Sequence, residues 1–139
     1  MPIGIMRIIW AAMILGEMAF AAVTMLILWP ARSPLYSPDQ AQMMTIVAAG
    51  MMVVVLPLAF VLRRAIRGPV DAADMSAARY LAGNIVFLAL CEAVVMVGII
   101  AILFKGSVGE QILVPAVGVA MQIVNYPSAP SSQGRRLVE

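Results

Sequence analysis

Two carboxylates, Glu17 and Glu92, are the residues of this chain best placed to do chemistry. Each is the tenth residue of an apolar run, residues 8–29 and residues 83–104 respectively. A helix of about 20 residues covers roughly 30 Å, the hydrocarbon thickness of a bilayer, so both acids are expected near mid-membrane. An ionised acidic side chain at that depth costs about 2.5 to 3.5 kcal/mol on insertion scales. Each is therefore expected to face protein or a polar cavity, where it can either hydrogen-bond across a helix interface or carry an ion or proton. Neither has an evident basic partner at similar depth in the chain.

Helical spacing picks out their polar neighbours. Thr24 lies seven residues beyond Glu17 and Asn84 eight before Glu92, on roughly the same helix faces. At 1.5 Å per residue these pairs are about 10 to 12 Å apart, too far for direct contact, so they would belong to a longer polar stripe. Ala12, Gly16 and Ala19 form a small-residue seam beside Glu17, suited to close helix contact. Gln122 and Asn125 give the last apolar run a polar outlet at its end. Pro57 and Pro115 are expected to interrupt the second and fourth helices, each freeing a carbonyl for a packing kink or an ion. The 12 methionines read as adaptable apolar filler, with a metal or quinone pocket as the sharper alternative.

The elements that must position these groups follow from composition. The chain has 139 residues, 63% hydrophobic and only 12% charged, against about 45 to 50% apolar in a soluble domain. Its apolar residues gather into runs at 8–29, 43–62, 83–104 and 112–124, the last extending back to 108. The expected fold is an all-α integral membrane protein of four transmembrane helices at about 7–29, 42–62, 78–104 and 108–125. One transmembrane domain would occupy residues 1–126, followed by a polar cytoplasmic tail at 127–139 that is too short to fold alone. The first run has 22 residues and meets Trp29, Pro30 and Arg32, so it reads as a retained span rather than a signal sequence. Residues 30–41 carry three prolines and make a short turn; Gly68 and Pro69 break the second helix, and Asp71, Asp74 or Ser76 can cap the third.

Charge gives orientation and excludes other classes. Seven of the nine Lys and Arg residues flank one side, at Arg7, Arg63, Arg64, Arg67, Arg79, Arg135 and Arg136, while only Arg32 and Lys105 lie on the other. The positive-inside rule then puts both termini and the 63–79 loop in the cytoplasm, with a bacterial inner membrane as the expected location. Trp29 suits the outer interface and Trp10 the inner one, while Arg63, Arg64 and Arg67 are expected to anchor the inner interface. With no His and the single Cys91, the chain cannot assemble a His or Cys metal site or an internal disulfide alone. No cofactor is expected from this chain by itself, and pigment, quinone or lipid contacts in a complex stay open. Scattered basic residues and a formal charge of +2 give no case for nucleic acid.

An offset of 75 lays ILGEMAFAAVTMLILW (14–29) on ALCEAVVMVGIIAILF (89–104), with Leu15 on Leu90, Glu17 on Glu92, Ile27 on Ile102 and Leu28 on Leu103. The matching depth and direction of the two acids suggest two parallel-repeat hairpins, helices 1 with 2 and helices 3 with 4.

The stretch LRRAIRGPVDAADMSAARYLAGNIVFLALCEAVVMVGIIAILF resembles the second half of the proteolipid c subunit of rotary ATP synthases. Ala89, Leu90, Glu92 and Ala93 match the family's ALxEA-like setting for an ion-carrying carboxylate, after a basic loop approximated by Arg67, Gly68 and Pro69. With the second helix the resemblance covers residues 43–104, 62 of 139, and it implies that Glu92 alternates between protonated and ionised states. The chain departs from the family in having Gly50 and a proline where a repeated glycine pattern stands, and in carrying its acids on the first and third helices.

No glycine-rich phosphate loop, dinucleotide fingerprint or extramembrane nucleophile and base is present, so the chain does not read as an enzyme. The expected function is a non-catalytic integral membrane subunit that packs against and stabilises a larger membrane complex. Its partners would be other integral membrane subunits or copies of itself, and lipid. The alternative is a proton- or sodium-translocating, c-subunit-like proteolipid or small transporter using Glu92 and Glu17.

Overall fold

A computed structural model describes residues 2–31, 36–68 and 77–127. They form four α-helices: α1 (Pro2–Ala31), α2 (Pro38–Arg67), α3 (Ala77–Lys105) and α4 (Leu113–Val124), with a 3-10 turn at Gly109–Ile112 ahead of α4. Three of them, α1 to α3, are long and apolar enough to cross a membrane, and α4 is a shorter apolar helix. Candidate caps Asp71, Asp74 and Ser76 and the tail from 128 onward lie outside the described residues.

The local chemistry explains where the helices begin and end. Ser37 caps α2 reciprocally with Gln40: the Gln40 N–H donates to Ser37 Oγ at 3.4 Å and the Ser37 N–H to Gln40 Oε1 at 3.1 Å. Pro38 at the first helical position and Asp39 in the first turn complete a start that puts α2 four residues ahead of the helix start expected at 42. At its other end Gly68 takes φ 72° and donates its N–H to the Arg64 carbonyl, a closure that favours a residue without Cβ. Pro115 stands in the first turn of α4 instead of interrupting its interior, at a place where a missing N–H costs little. Pro57 does lie inside α2.

The fourth segment is shorter as an α-helix than expected from its sequence. Its 12 residues rise about 18 Å, and the extended 3-10 turn adds about 8 Å. Gln111 at its start donates to Thr45 Oγ1 of α2 at 3.0 Å, and Asn125 at its end accepts from Arg63 Nη1 of α2 at 2.7 Å. The 18 α2 residues between those two contacts rise about 27 Å, so turn and helix together match most of the height of the long helices.

α3 is the centre of the bundle. Half of its apolar window is buried (50%), against 17% for α2 and 11% for α1. Its inner face supplies Phe87, Leu88, Cys91, Val94 and Ala101 to the core. Glycine lets backbones close in at the α3–α4 seam: a Cβ at Gly98 would stand 2.6 Å from Pro115 Cδ, and one at Gly118 would stand 2.5 Å from Val95 Cγ2. α1 packs on α3 and makes no comparable contact with α2. Among the described residues, then, the first two helices do not form a packed hairpin equivalent to α3 with α4, contrary to the repeat expected from the sequence.

Candidate functional site

α1 turns a narrow stripe inward: Met6, Glu17 and Thr24 are buried, with Trp10 and Met13 half-buried between them. The spacing of four, three, four and seven residues keeps one face of a helix against its neighbours. Glu17, 2% exposed, and Thr24, also 2% exposed, share that face as their spacing indicated. The partner of Glu17 is neither Thr24 nor a cation. Gln122 of α4 donates from Nε2 to Glu17 Oε1 in a buried hydrogen bond.

Direction explains how a residue near the end of α4 reaches mid-helix α1. Side chains lean toward the N-terminus of their own helix, and α1 and α4 run antiparallel in the expected topology. Glu17 thus leans toward the inner end while Gln122 leans away from it, and they meet between. The main chain of Gln122 is used as well, since Trp10 Nε1 donates to its carbonyl at 3.0 Å. That carbonyl is one of the last-turn acceptors a helix leaves unpaired; the Tyr126 N–H bonds Ile123 instead.

The end of α4 is consequently tied to two other helices. Asn125 donates its Nδ2 to the Met121 carbonyl at 2.8 Å, and its Oδ1 accepts from Arg63 of α2 at 2.7 Å. The Trp10 ring stands edge-on to Tyr126 with centroids 5.0 Å apart, and Arg7 covers Tyr126 at 5.4 Å. Arg63 and Arg67 of α2 lie 4.8 Å over the Phe87 and Tyr80 rings of α3. Cations near a helix C-terminus are favoured by its dipole, and cation–ring contacts add about 0.5 to 2 kcal/mol each. Arg63 is half-buried with its Nε unpartnered, Arg67 is half-buried, and Arg64 is exposed. Arg63 and Arg67 are thus seated between α2 and α3 rather than only at the surface. The Trp29 side chain lies outside the described residues.

Glu92 is half-buried on α3 and lies within electrostatic range of Glu17. The equal depth read from the two runs is consistent with that proximity. Asn84 is buried, and its Nδ2 donates one turn back to the Tyr80 carbonyl at 2.8 Å. Cys91 is buried beside these groups, within electrostatic range of Glu17 and Arg63.

Outside the seam, Glu17 borders a groove of about 510 Å³ between α1, α3 and α4. Ile14, Met18, Val95, Ile99, Pro115 and Val119 line it, and Glu17 is its one polar side chain among the described residues. It is an apolar groove, without the string of polar groups that would solvate an ion. The small seam of Ala12, Gly16 and Ala19 is exposed on the far side of α1, and a Cβ at Gly16 would meet no atom within 4 Å.

The sequence singled out Gln122 only as a polar outlet and missed its pairing with Glu17. The available signal was that Gln122 is the sole amide within the apolar body of α4. Comparison of the chain with protein families, curated proteins and solved structures finds no match.

Proposed function

We propose that this chain is a non-catalytic, multi-pass membrane subunit that packs against other membrane proteins or further copies of itself and stabilises the assembly. One observation carries the reading: Glu17, the single acid of α1, is 2% exposed and accepts a hydrogen bond from Gln122 that joins α1 to α4. A buried carboxylate held in a helix seam organises helices, and the groove beside it is apolar. The exposed face of α1 supports the need for a neighbour. Ala12, Gly16 and Ala19 offer the close backbone approach that membrane helix contacts use, while among the described residues no other helix covers them. The seven-to-two bias of basic residues favours cytoplasmic termini, and α4 with its 3-10 turn then serves as the fourth crossing.

A second reading, a c-subunit-like carrier of protons or sodium, is favoured by the half-buried Glu92 lying within electrostatic range of Glu17. Glu92→Gln keeps size and hydrogen-bonding capacity but cannot cycle a proton, whereas Glu92→Leu removes both. In the packing reading Gln preserves assembly and any activity of the assembled complex, and Leu weakens assembly. Normal assembly with lost proton or sodium flux in Glu92→Gln would establish the second reading instead.

A further inference from the structure

Among the described residues, two buried oxygens in the α1–α4 seam have no hydrogen-bond partner: Glu17 Oε2 and Gln122 Oε1. They belong to the two side chains already joined by the bond from Gln122 Nε2 to Glu17 Oε1. With Glu17 ionised, both are acceptors and neither can serve the other, leaving two unsatisfied oxygens in an apolar setting where each costs about 1 to 3 kcal/mol or more. One proton resolves both. A neutral carboxylic acid is a donor as well as an acceptor, and a primary amide is its complement.

We propose that Glu17 is a proton-binding site, carrying a proton on Oε2 and donating it to Gln122 Oε1 to close a cyclic acid–amide pair between α1 and α4. The pair has two antiparallel hydrogen bonds and no net charge, so it can sit in hydrocarbon without a cation. The surroundings agree. Among the described residues, the titratable groups in electrostatic range of Glu17 are Glu92 and Cys91 on α3, Arg63 of α2 is in range of Cys91, and α4 itself contains no titratable residue. Arg63 gives its Nη1 to Asn125 and its face to Phe87. This inference stands apart from the proposed function, since it fixes how the seam is closed whichever partner the outer faces meet.

The test is infrared spectroscopy of the full chain in lipid bilayers at neutral pH, as the difference between wild type and Glu17→Gln. The expected result is loss of a protonated carboxylic C=O band, one that shifts to higher frequency in Gln122→Leu because its hydrogen bond is gone. Loss of carboxylate stretches in place of the acid band would overturn the proposal. Should Glu17→Gln fail to fold, carboxyl-13C glutamate labelling in a Glu92→Gln background leaves Glu17, Glu110 and Glu139 to observe. One acid-form signal that stays unchanged from mildly acidic to mildly alkaline pH is then expected, and titration of all three as ordinary carboxylates would overturn it.

Discussion

Trp10 of α1 donates its indole N–H to the main-chain carbonyl of Gln122, 3.0 Å away, and so caps the last turn of α4 from a helix 112 residues earlier in the chain. The same residue of α4 holds Glu17 with its side chain. A single turn of the shortest helix thereby fixes the longest lever in the bundle. Trp10→Phe keeps an aromatic ring against Tyr126 and removes the bond. We expect a loss of about 1 kcal/mol, read as a lower thermal midpoint in lipid particles and faster amide exchange in residues 121–126.

Arg63 should tolerate no conservative exchange. It combines a 2.7 Å bond to Asn125 with a stacked position 4.8 Å over Phe87, and the compact ammonium of lysine cannot reproduce a planar fork on a ring. Arg63→Lys is expected to cost about 1 to 2 kcal/mol, with Asn125→Ala adding little further because the two act through one contact. A double-mutant cycle on thermal stability checks this; additive losses would show that the contact is not shared.

The glycines divide into two groups by what surrounds them. A Cβ at Gly98 would stand 2.9 Å from the Pro115 nitrogen, main chain that cannot swing away, whereas Gly16 has nothing within 4 Å. Gly98→Ala should therefore destabilise by about 1 to 3 kcal/mol, and Gly16→Ala should be neutral or stabilising by up to about 1 kcal/mol through helix propensity. Unfolding of both variants side by side decides it. Gly16→Leu goes further: it should leave the single chain folded and release it from its partners.

Topology is open to thiol labelling. Cys91 is buried in α3 and is expected to stay unreactive in the folded protein, so a cysteine placed in the 63–79 loop after Cys91 is replaced reports cleanly. It should react with an impermeant reagent only once the membrane is opened. Labelling in intact cells would reverse the assigned orientation.

Much of this was legible in the sequence, and the failures have physical reasons. Apolar runs located all four helices because burial in lipid or core demands them, and the shared buried face of Glu17 and Thr24 followed from helical spacing. The earlier start of α2 was also present in Ser37, Pro38 and Gln40, a capping pattern hidden by reading three prolines only as a turn. The position of Pro115 was missed because an apolar run does not show where a 3-10 turn becomes an α-helix. The bond from Asn84 to the Tyr80 carbonyl went unforeseen because a mid-helix amide can pair with its own backbone, which spacing alone does not show. The Glu17–Gln122 pair needs the mutual lean of antiparallel helices, information that spacing within one helix does not carry.

Whether this chain works as a packing subunit is decided by native mass measurement of the protein extracted with its surrounding lipid. We expect a stable species heavier than one chain, reduced to the single chain by Gly16→Leu while helical content is retained. A wild-type protein recovered only as a single, fully folded and functional chain would contradict it.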